Sequence, residues 1–161
     1  TLGLADKVRA AYLTSVYWGS FTVGRVASTL LATRLKPLAM ILASLLGCVA
    51  AAALLLARPS EPAAAWASTA AFGFFIAPLF ANIFTLAGDV MTLTGRITGL
   101  FLVGTSVGGL LLPWMIGQRF ESAGPSVMPV ALLADLAGAL LCCLVLQLAV
   151  GRRAATAAGP R

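Results

Sequence analysis

The chain has 161 residues, of which 60% are apolar and 10% are charged, and its formal net charge is +6. A soluble domain carries about a quarter charged residues, so this composition excludes an ordinary soluble protein. The basic residues stand in short gaps between apolar runs, as they do in multi-pass membrane proteins, and they do not indicate a nucleic-acid partner.

Five apolar runs approach or exceed the length needed to cross a bilayer, which is about 20 residues for a helix. The runs are continuous rather than alternating, and they are too long for barrel strands of about ten residues. The sequence therefore predicts an all-α membrane protein. The predicted spans cover residues 11–33, 38–57, 63–87, 97–116 and 127–150. Residues 151–161 form a basic tail that we expect to be disordered and cytoplasmic.

The lysines and arginines between the spans predict an orientation, because cytoplasmic loops carry an excess of them. The side with most of them is expected to face the cytoplasm, and it holds Arg34, Lys36, Arg96, Arg152, Arg153 and Arg161. Five crossings then place the C-terminus inside the cell, in a protein that we expect in the plasma membrane. The chain has no histidine and shows no catalytic or metal-binding constellation, so no enzyme, cofactor or metal site is predicted.

The first span carries a line of polar and aromatic residues at helical spacing. The line consists of Thr14, Trp18, Thr22, Arg25 and Thr29. Tyr17 lies beside Trp18. Aromatic rings on a helix that faces a solute path can stack against a sugar or another flat solute, and simple packing is the alternative.

Pro78, Asn82, Thr85 and Asp89 in the third span are spaced so that they share one face of a helix. Proline bends a helix because it removes a backbone hydrogen bond, and Asn82 and Thr85 then offer polar groups beyond the bend. Polar side chains at membrane depth face the protein interior or an aqueous cavity. This face is therefore expected to line a solute path, unless its side chains only bond neighbouring helices. The predicted substrate-binding residues are Asn82, Thr85, Tyr17 and Trp18.

The fourth span is rich in glycine, and Gly104 and Gly108 keep the four-residue spacing that allows close helix packing. A phosphate-binding loop would need a lysine and a Ser or Thr after the last glycine, and the sequence there is "GGLLLP". Asp135 lies well inside the fifth span. A lone carboxylate at that depth is a candidate for coupling to a cation, and pairing with a neighbouring helix is the alternative.

Arg25 lies about 12 Å from the cytoplasmic end of the first span at the standard helical rise. That distance is more than snorkelling comfortably covers, so the guanidinium needs a partner. We predict an ion pair between Arg25 and Asp89, acting as a cytoplasmic gate or a structural link. Otherwise Arg25 is expected to donate to helix carbonyls at the cytoplasmic end.

The segment "YLTSVYWGSFTVGRV" followed by "TRLKP" resembles helix eight of major facilitator transporters of the fucose permease type. Within that type, it is most similar to the sodium-dependent glucose transporter 1-like subgroup. The matching residues are Trp18, Gly19, Gly24, Arg25, Arg34, Lys36 and Pro37. "FANIFTLA" is similar to helix ten and "GRITGLFLVGTSVGGLLLPWMIGQRFESAGP" to helix eleven. One departure is Ala81, because many members have proline directly after the preceding phenylalanine.

The resemblance implies helices eight to twelve of a twelve-helix fold, so that the partner of this chain would be the N-terminal half of the transporter. Transporters of this superfamily bind solute between two six-helix halves and rock the halves for alternating access. The resemblance implies a small polar solute, a sugar, moved passively or with a co-transported sodium ion or proton. The alternative is a non-transporting scaffold or partner module derived from a half-transporter.

Overall fold

The computed structural model describes residues 2–123 and 127–157, and the side chains of residues 8–119 and 127–148. The described backbone is helical and contains no strand, which confirms the predicted all-α class. Its segments are α1 (Leu2–Leu31), α2 (Pro37–Ala57), α3 (Pro62–Ile76), α4 (Leu79–Val90), α5 (Gly95–Ala123) and α6 (Val127–Ala157).

Four stretches of helix are long and apolar enough to cross a membrane, namely Pro37–Ala57, Pro62–Val90, Gly95–Arg119 and Val127–Leu148. They correspond to the last four predicted spans. Helix α1 has 30 residues, about 45 Å at the standard rise, but it is not among these four. Its crossing of the membrane therefore remains a prediction.

Proline sets the start of two helices, as expected for a residue that lacks the N–H left unpaired at a first helical position. Pro37 opens α2 and Pro62 opens α3. At the other end of the chain, α6 continues to Ala157, so residues 151–157 are helical where we expected a disordered tail. The remaining tail residues, 158–161, lie outside the described part of the chain.

The third predicted span is interrupted at Ala77 and Pro78, which separate α3 from α4. Pro78 has no N–H to donate to the carbonyl of Phe74 four residues earlier, which is the usual cause of such a break. The Pro78 carbonyl accepts two hydrogen bonds, one from the Asn82 backbone N–H at 3.0 Å and one from the Asn82 side-chain Nδ2 at 2.9 Å. The break is therefore stabilised on its C-terminal side.

Helix α2 occupies the centre of the bundle, where it packs against α3, α4 and α6. The main cluster of buried apolar side chains consists of Ile41, Leu45, Cys48, Ala52 and Leu136. Helix α5 is peripheral: it packs weakly along α6, and its Phe101 ring lies 5.1 Å from the Phe84 ring of α4.

Helices α1 and α3 meet at two glycines, each of which faces the backbone of the other helix. A Cβ at Gly24 of α1 would collide with the carbonyl oxygen of Phe74, and one at Gly73 of α3 would lie 2.5 Å from the carbonyl oxygen of Tyr17. Real Cβ atoms do not approach that closely, so each position requires glycine. Small residues allow helix backbones to meet in this way, and we call this contact the glycine crossing.

Candidate functional site

The polar line of α1 lies on the face turned away from α3. Its side chains are all exposed, and we call them the α1 polar face: Thr14, Trp18, Thr22, Arg25 and Thr29. The adjoining side of α1, about 100° around the helix, carries the buried Gly24 and the partly buried Tyr17, which pack on α3. Helix α1 therefore presents polar groups on a surface that no described part of the chain covers.

The threonines of the α1 polar face are satisfied by their own helix. Each hydroxyl donates to a carbonyl four residues earlier, at 3.0 Å for Thr14, 2.9 Å for Thr22 and 3.0 Å for Thr29. This bond removes the cost of an unpaired donor in an apolar surrounding. The hydroxyl oxygens keep lone pairs that can still accept hydrogen bonds from a solute.

Aromatic rings order the middle of the α1 polar face. The Trp18 ring meets the Phe21 ring edge-on at 5.7 Å and the Tyr17 ring at 5.4 Å. The guanidinium carbon of Arg25 lies 5.4 Å from the centre of the Phe21 ring, which is within the range of a cation–π interaction. The face thus combines one large exposed aromatic ring with a fixed positive charge.

The structure does not form the predicted ion pair between Arg25 and Asp89. Arg25 lies against Phe21, and its guanidinium donates to no helix carbonyl of the described chain either. The reason is the packing: α1 packs on α3, whereas Asp89 lies near the end of α4, which packs on α2 beyond the break at Pro78.

The other predicted binding residues do not converge on one point. Asn82 is buried, with 6% of the residue exposed, and its side-chain Nδ2 donates to the Pro78 carbonyl. Thr85 is exposed, and its hydroxyl donates to the Ala81 carbonyl at 3.0 Å. Asn82 therefore supports the break between α3 and α4, while Trp18 and Thr85 lie on exposed surfaces of different helices.

The two predicted carboxylates have no partners in the described part of the chain. Asp89 near the end of α4 and Asp135 on α6 are both exposed, and neither forms an ion pair or hydrogen bond with a described residue. The described residues contain no group of His, Cys, Asp and Glu side chains that could hold a metal ion.

The predicted packing role of Gly104 and Gly108 is not observed. A Cβ at either position would meet no atom within 4 Å, whereas the glycine crossing uses Gly24 and Gly73. Helix α5 packs along α6 and contacts α4 through Phe101, and its glycine face lies open.

The structure also contains a largely apolar cavity with a few hydroxyls, which the sequence did not reveal. It measures about 290 Å³, lies between α1, α2, α3 and α6, and is lined in part by Tyr17, Ser68 and Thr69. Ser68 is 3% exposed, and its hydroxyl has no hydrogen-bond partner, a condition that costs about 1–3 kcal/mol. The only signal in the sequence is the Ser-Thr pair within the apolar run "AAAWASTAAF".

A larger groove of about 440 Å³ lies between α2, α4 and α6, with Phe101 of α5 at its side. Its lining is apolar apart from the thiols of Cys142 and Cys143. Burying sugar hydroxyls there without partners would be unfavourable, so this groove does not suit a polar solute.

Curated relatives match most of the chain. It is 29% identical over 123 residues to the human major facilitator superfamily domain-containing protein 4A, an alignment that covers 76% of the chain and 24% of that protein. It is 32% identical over 112 residues to the zebrafish (Danio rerio) sodium-dependent glucose transporter 1, covering 70% of the chain and 19% of the relative. For the Xenopus laevis sodium-dependent glucose transporter 1 the identity is 30% over 146 residues, covering 89% and 30%.

These similarities confirm the resemblance to major facilitator proteins that the sequence motifs indicated. The chain spans less than a third of the length of these relatives, with shares of 24%, 19% and 30%. No family model matches the sequence, and no solved structure matches it. Apolar helices and relatives together identify an integral, multi-pass membrane chain related to transporters.

Proposed function

We propose that the chain is part of a secondary transporter that moves a small polar solute, a sugar, by alternating access, and that the α1 polar face borders the solute path. The observation that carries the proposal is a row of exposed polar side chains on a helix of a membrane bundle. Polar groups at membrane depth face a protein interior or an aqueous cavity. The name of the sodium-dependent glucose transporter 1 relatives supports a sugar as the solute.

The α1 polar face offers three kinds of interaction to such a solute. The Trp18 ring, which is 59% exposed, provides a flat apolar surface for the less polar face of a sugar ring. The threonine oxygens accept hydrogen bonds from solute hydroxyls, and Arg25 supplies N–H donors. Several weak contacts of this kind allow both binding and release, which transport requires.

We assign cation coupling to Asp135, with sodium or a proton as the cation. Its carboxylate is exposed on an apolar helix and has no partner among the described side chains. A lone carboxylate at that depth is a candidate for coupling to a cation. The word "sodium-dependent" in the names of the relatives supports sodium as the first cation to test.

The experiment is uptake of labelled glucose by the full-length protein in proteoliposomes, with and without a sodium or a proton gradient. Trp18→Ala and Thr22→Val should each raise KM about five-fold, the loss expected for one modest contact of about 1 kcal/mol. Val23→Ala is the matched control, because Val23 is exposed on the same helix but lies at least about 100° around the helix from every residue of the polar line. Asp135→Asn should remove the dependence of uptake on the gradient.

If Trp18→Ala and Thr22→Val leave the KM of uptake by the full-length protein unchanged, the α1 polar face does not border the solute path. A folded full-length protein in which no solute is taken up would favour the scaffold alternative. We further propose the plasma membrane and a cytoplasmic C-terminus, which a tag behind α6 tests by its accessibility in intact and permeabilised cells.

A further inference from the structure

We propose that the cavity between α1, α2, α3 and α6 binds a compact, largely apolar molecule with one hydrogen-bonding group, at a site separate from the α1 polar face. The cavity volume of about 290 Å³ is close to the lower end of small-molecule pockets, about 300 Å³. Its lining comprises Tyr17, Ala51, Ala52, Leu55, Ser68, Thr69, Phe72, Met128 and Leu132. The cavity lies in the half of the bundle where α2 ends and α3 and α6 begin.

The lining determines the chemical class of the ligand. Tyr17, Ser68 and Thr69 carry hydroxyls, and the remaining lining residues are apolar and uncharged. An ionic ligand would be buried without an opposite charge, and most hydroxyls of a sugar would face apolar side chains without partners. A mostly apolar molecule with a single hydroxyl or carbonyl matches this lining, which has the usual composition of small-molecule sites.

Ser68 provides the specific point of recognition. Its hydroxyl is the one buried side-chain N or O atom without a hydrogen-bond partner in the described part of the chain. Other helical hydroxyls, such as those of Thr22 and Thr85, donate to a carbonyl of their own helix. Rotation about χ1 moves the Ser68 hydroxyl among staggered positions, so a polar group in the cavity can become its partner.

Two small residues of α2 keep the cavity open. Ala51 and Ala52 are 3% and 2% exposed and both line the cavity. A longer side chain at Ala51 would therefore occupy space that the ligand needs. Tyr17 enters the cavity from the side of α1 that packs on α3, whereas its neighbour Trp18 belongs to the exposed α1 polar face. The two sites thus lie on neighbouring sides of the same helix, about 100° apart.

The test is photolabelling of the full-length protein in nanodiscs with a diazirine-bearing cyclohexanol, mapped by mass spectrometry. We expect labelling of α3 and α6 peptides that saturates and that an excess of cyclohexanol abolishes. The matching diazirine-bearing cyclohexane, which lacks the hydroxyl, should need about a five-fold higher concentration, as one lost hydrogen bond predicts. Ser68→Ala should abolish this difference, and Ser15→Ala should preserve it because the Ser15 hydroxyl already donates to Ala11.

Ala51→Leu should abolish saturable labelling, with unfolding followed in parallel. If Ala51→Leu does not fold, the comparison of Ser68→Ala with Ser15→Ala decides the question. Labelling of α3 and α6 that never saturates, or an equal response of both serine variants, would overturn the proposal. Displacement of the probe by glucose would overturn the separation from the solute path. Because the readout is labelling, a failure of the transport proposal leaves this result interpretable.

Discussion

Replacing Gly24 with alanine tests whether α1 and α3 meet at the glycine crossing. The added Cβ would collide with the carbonyl oxygen of Phe74 and lie 3.0 Å from the Phe74 carbonyl carbon and Cα. These are backbone atoms, which cannot rotate aside as the end of a side chain can. The helices would have to separate, and the contacts along the crossing would weaken.

The expected magnitude follows from two opposing terms. Alanine favours a helix over glycine by about 1 kcal/mol, and overpacking a close contact costs about 1–3 kcal/mol. The two terms give a net loss of about 0–2 kcal/mol in the free energy of unfolding. Because the backbone must move, we expect the upper half of that range, about 1–2 kcal/mol. Gly19 on the same helix is the matched control: its Cβ would meet nothing within 4 Å, so Gly19→Ala should gain up to about 1 kcal/mol.

The assay is thermal unfolding of the purified full-length protein in detergent, followed by tryptophan fluorescence. The shift is about 2–4 °C per kcal/mol for 150–250 residues and falls with length, so Gly24→Ala should melt several degrees, and at most about 10 °C, below Gly19→Ala. The reasoning fails if Gly24→Ala melts at the same temperature as Gly19→Ala or above it. In that case the two helices would not approach each other through these glycines.

Three further expectations concern the helix ends and contacts. Pro78→Ala restores an N–H that can bond the Phe74 carbonyl, so spin labels on α3 and α4 should report a straighter helix by a longer end-to-end distance. Gly47→Ala places a Cβ against Cγ and the Cδ atoms of the Phe75 side chain. It should lower Tm less than Gly24→Ala, because a side chain can shift by rotation about χ1 whereas a main-chain carbonyl cannot; an equal or larger loss would contradict this. Glu61→Gln removes an exposed ion pair, and Tm should stay within about 2 °C; a larger drop would mean that the turn between α2 and α3 depends on it.

The helices could be predicted from the sequence because their signals are local. Continuous apolar runs identified the spans, and the starts of α2 and α3 follow from Pro37 and Pro62. The break at Pro78 was also predictable, because a missing N–H acts on its own helix. The ends were less certain, since nothing in the basic tail forbids a helix and α6 runs on to Ala157.

The site could be predicted only in part, because it depends on which helices touch. Asn82 and Thr85 were expected to act together, but packing of α4 on α2 buries the first and leaves the second exposed. Asp89 was a plausible acidic partner for Arg25. Because α1 packs on α3, Arg25 does not meet Asp89, and its guanidinium lies over the Phe21 ring of its own helix. The cavity at Ser68 is formed by four helices, so it could not be predicted without knowing how they pack.

Glycine pairs illustrate the same limit. The spacing of Gly104 and Gly108 was read as a packing signal, and the spacing is indeed typical of close helix contacts. The structure places close contacts at Gly24 and Gly73, which lie on two different helices and form no motif in the chain. A spacing pattern indicates that another helix could approach closely. Which helix does so depends on the packing of the whole bundle.

The glycine crossing also determines which second mutations could compensate for a substitution at this contact. Each glycine opposes the backbone of the other helix rather than a side chain. A substitution on the partner helix changes a side chain and cannot remove a main-chain carbonyl. A larger residue at Gly24 or Gly73 therefore cannot be compensated by a smaller residue on the other helix. A screen for revertants of Gly24→Ala should therefore recover the original glycine, or stabilising substitutions at distant positions. It should recover no compensating substitution on α3 at the glycine crossing.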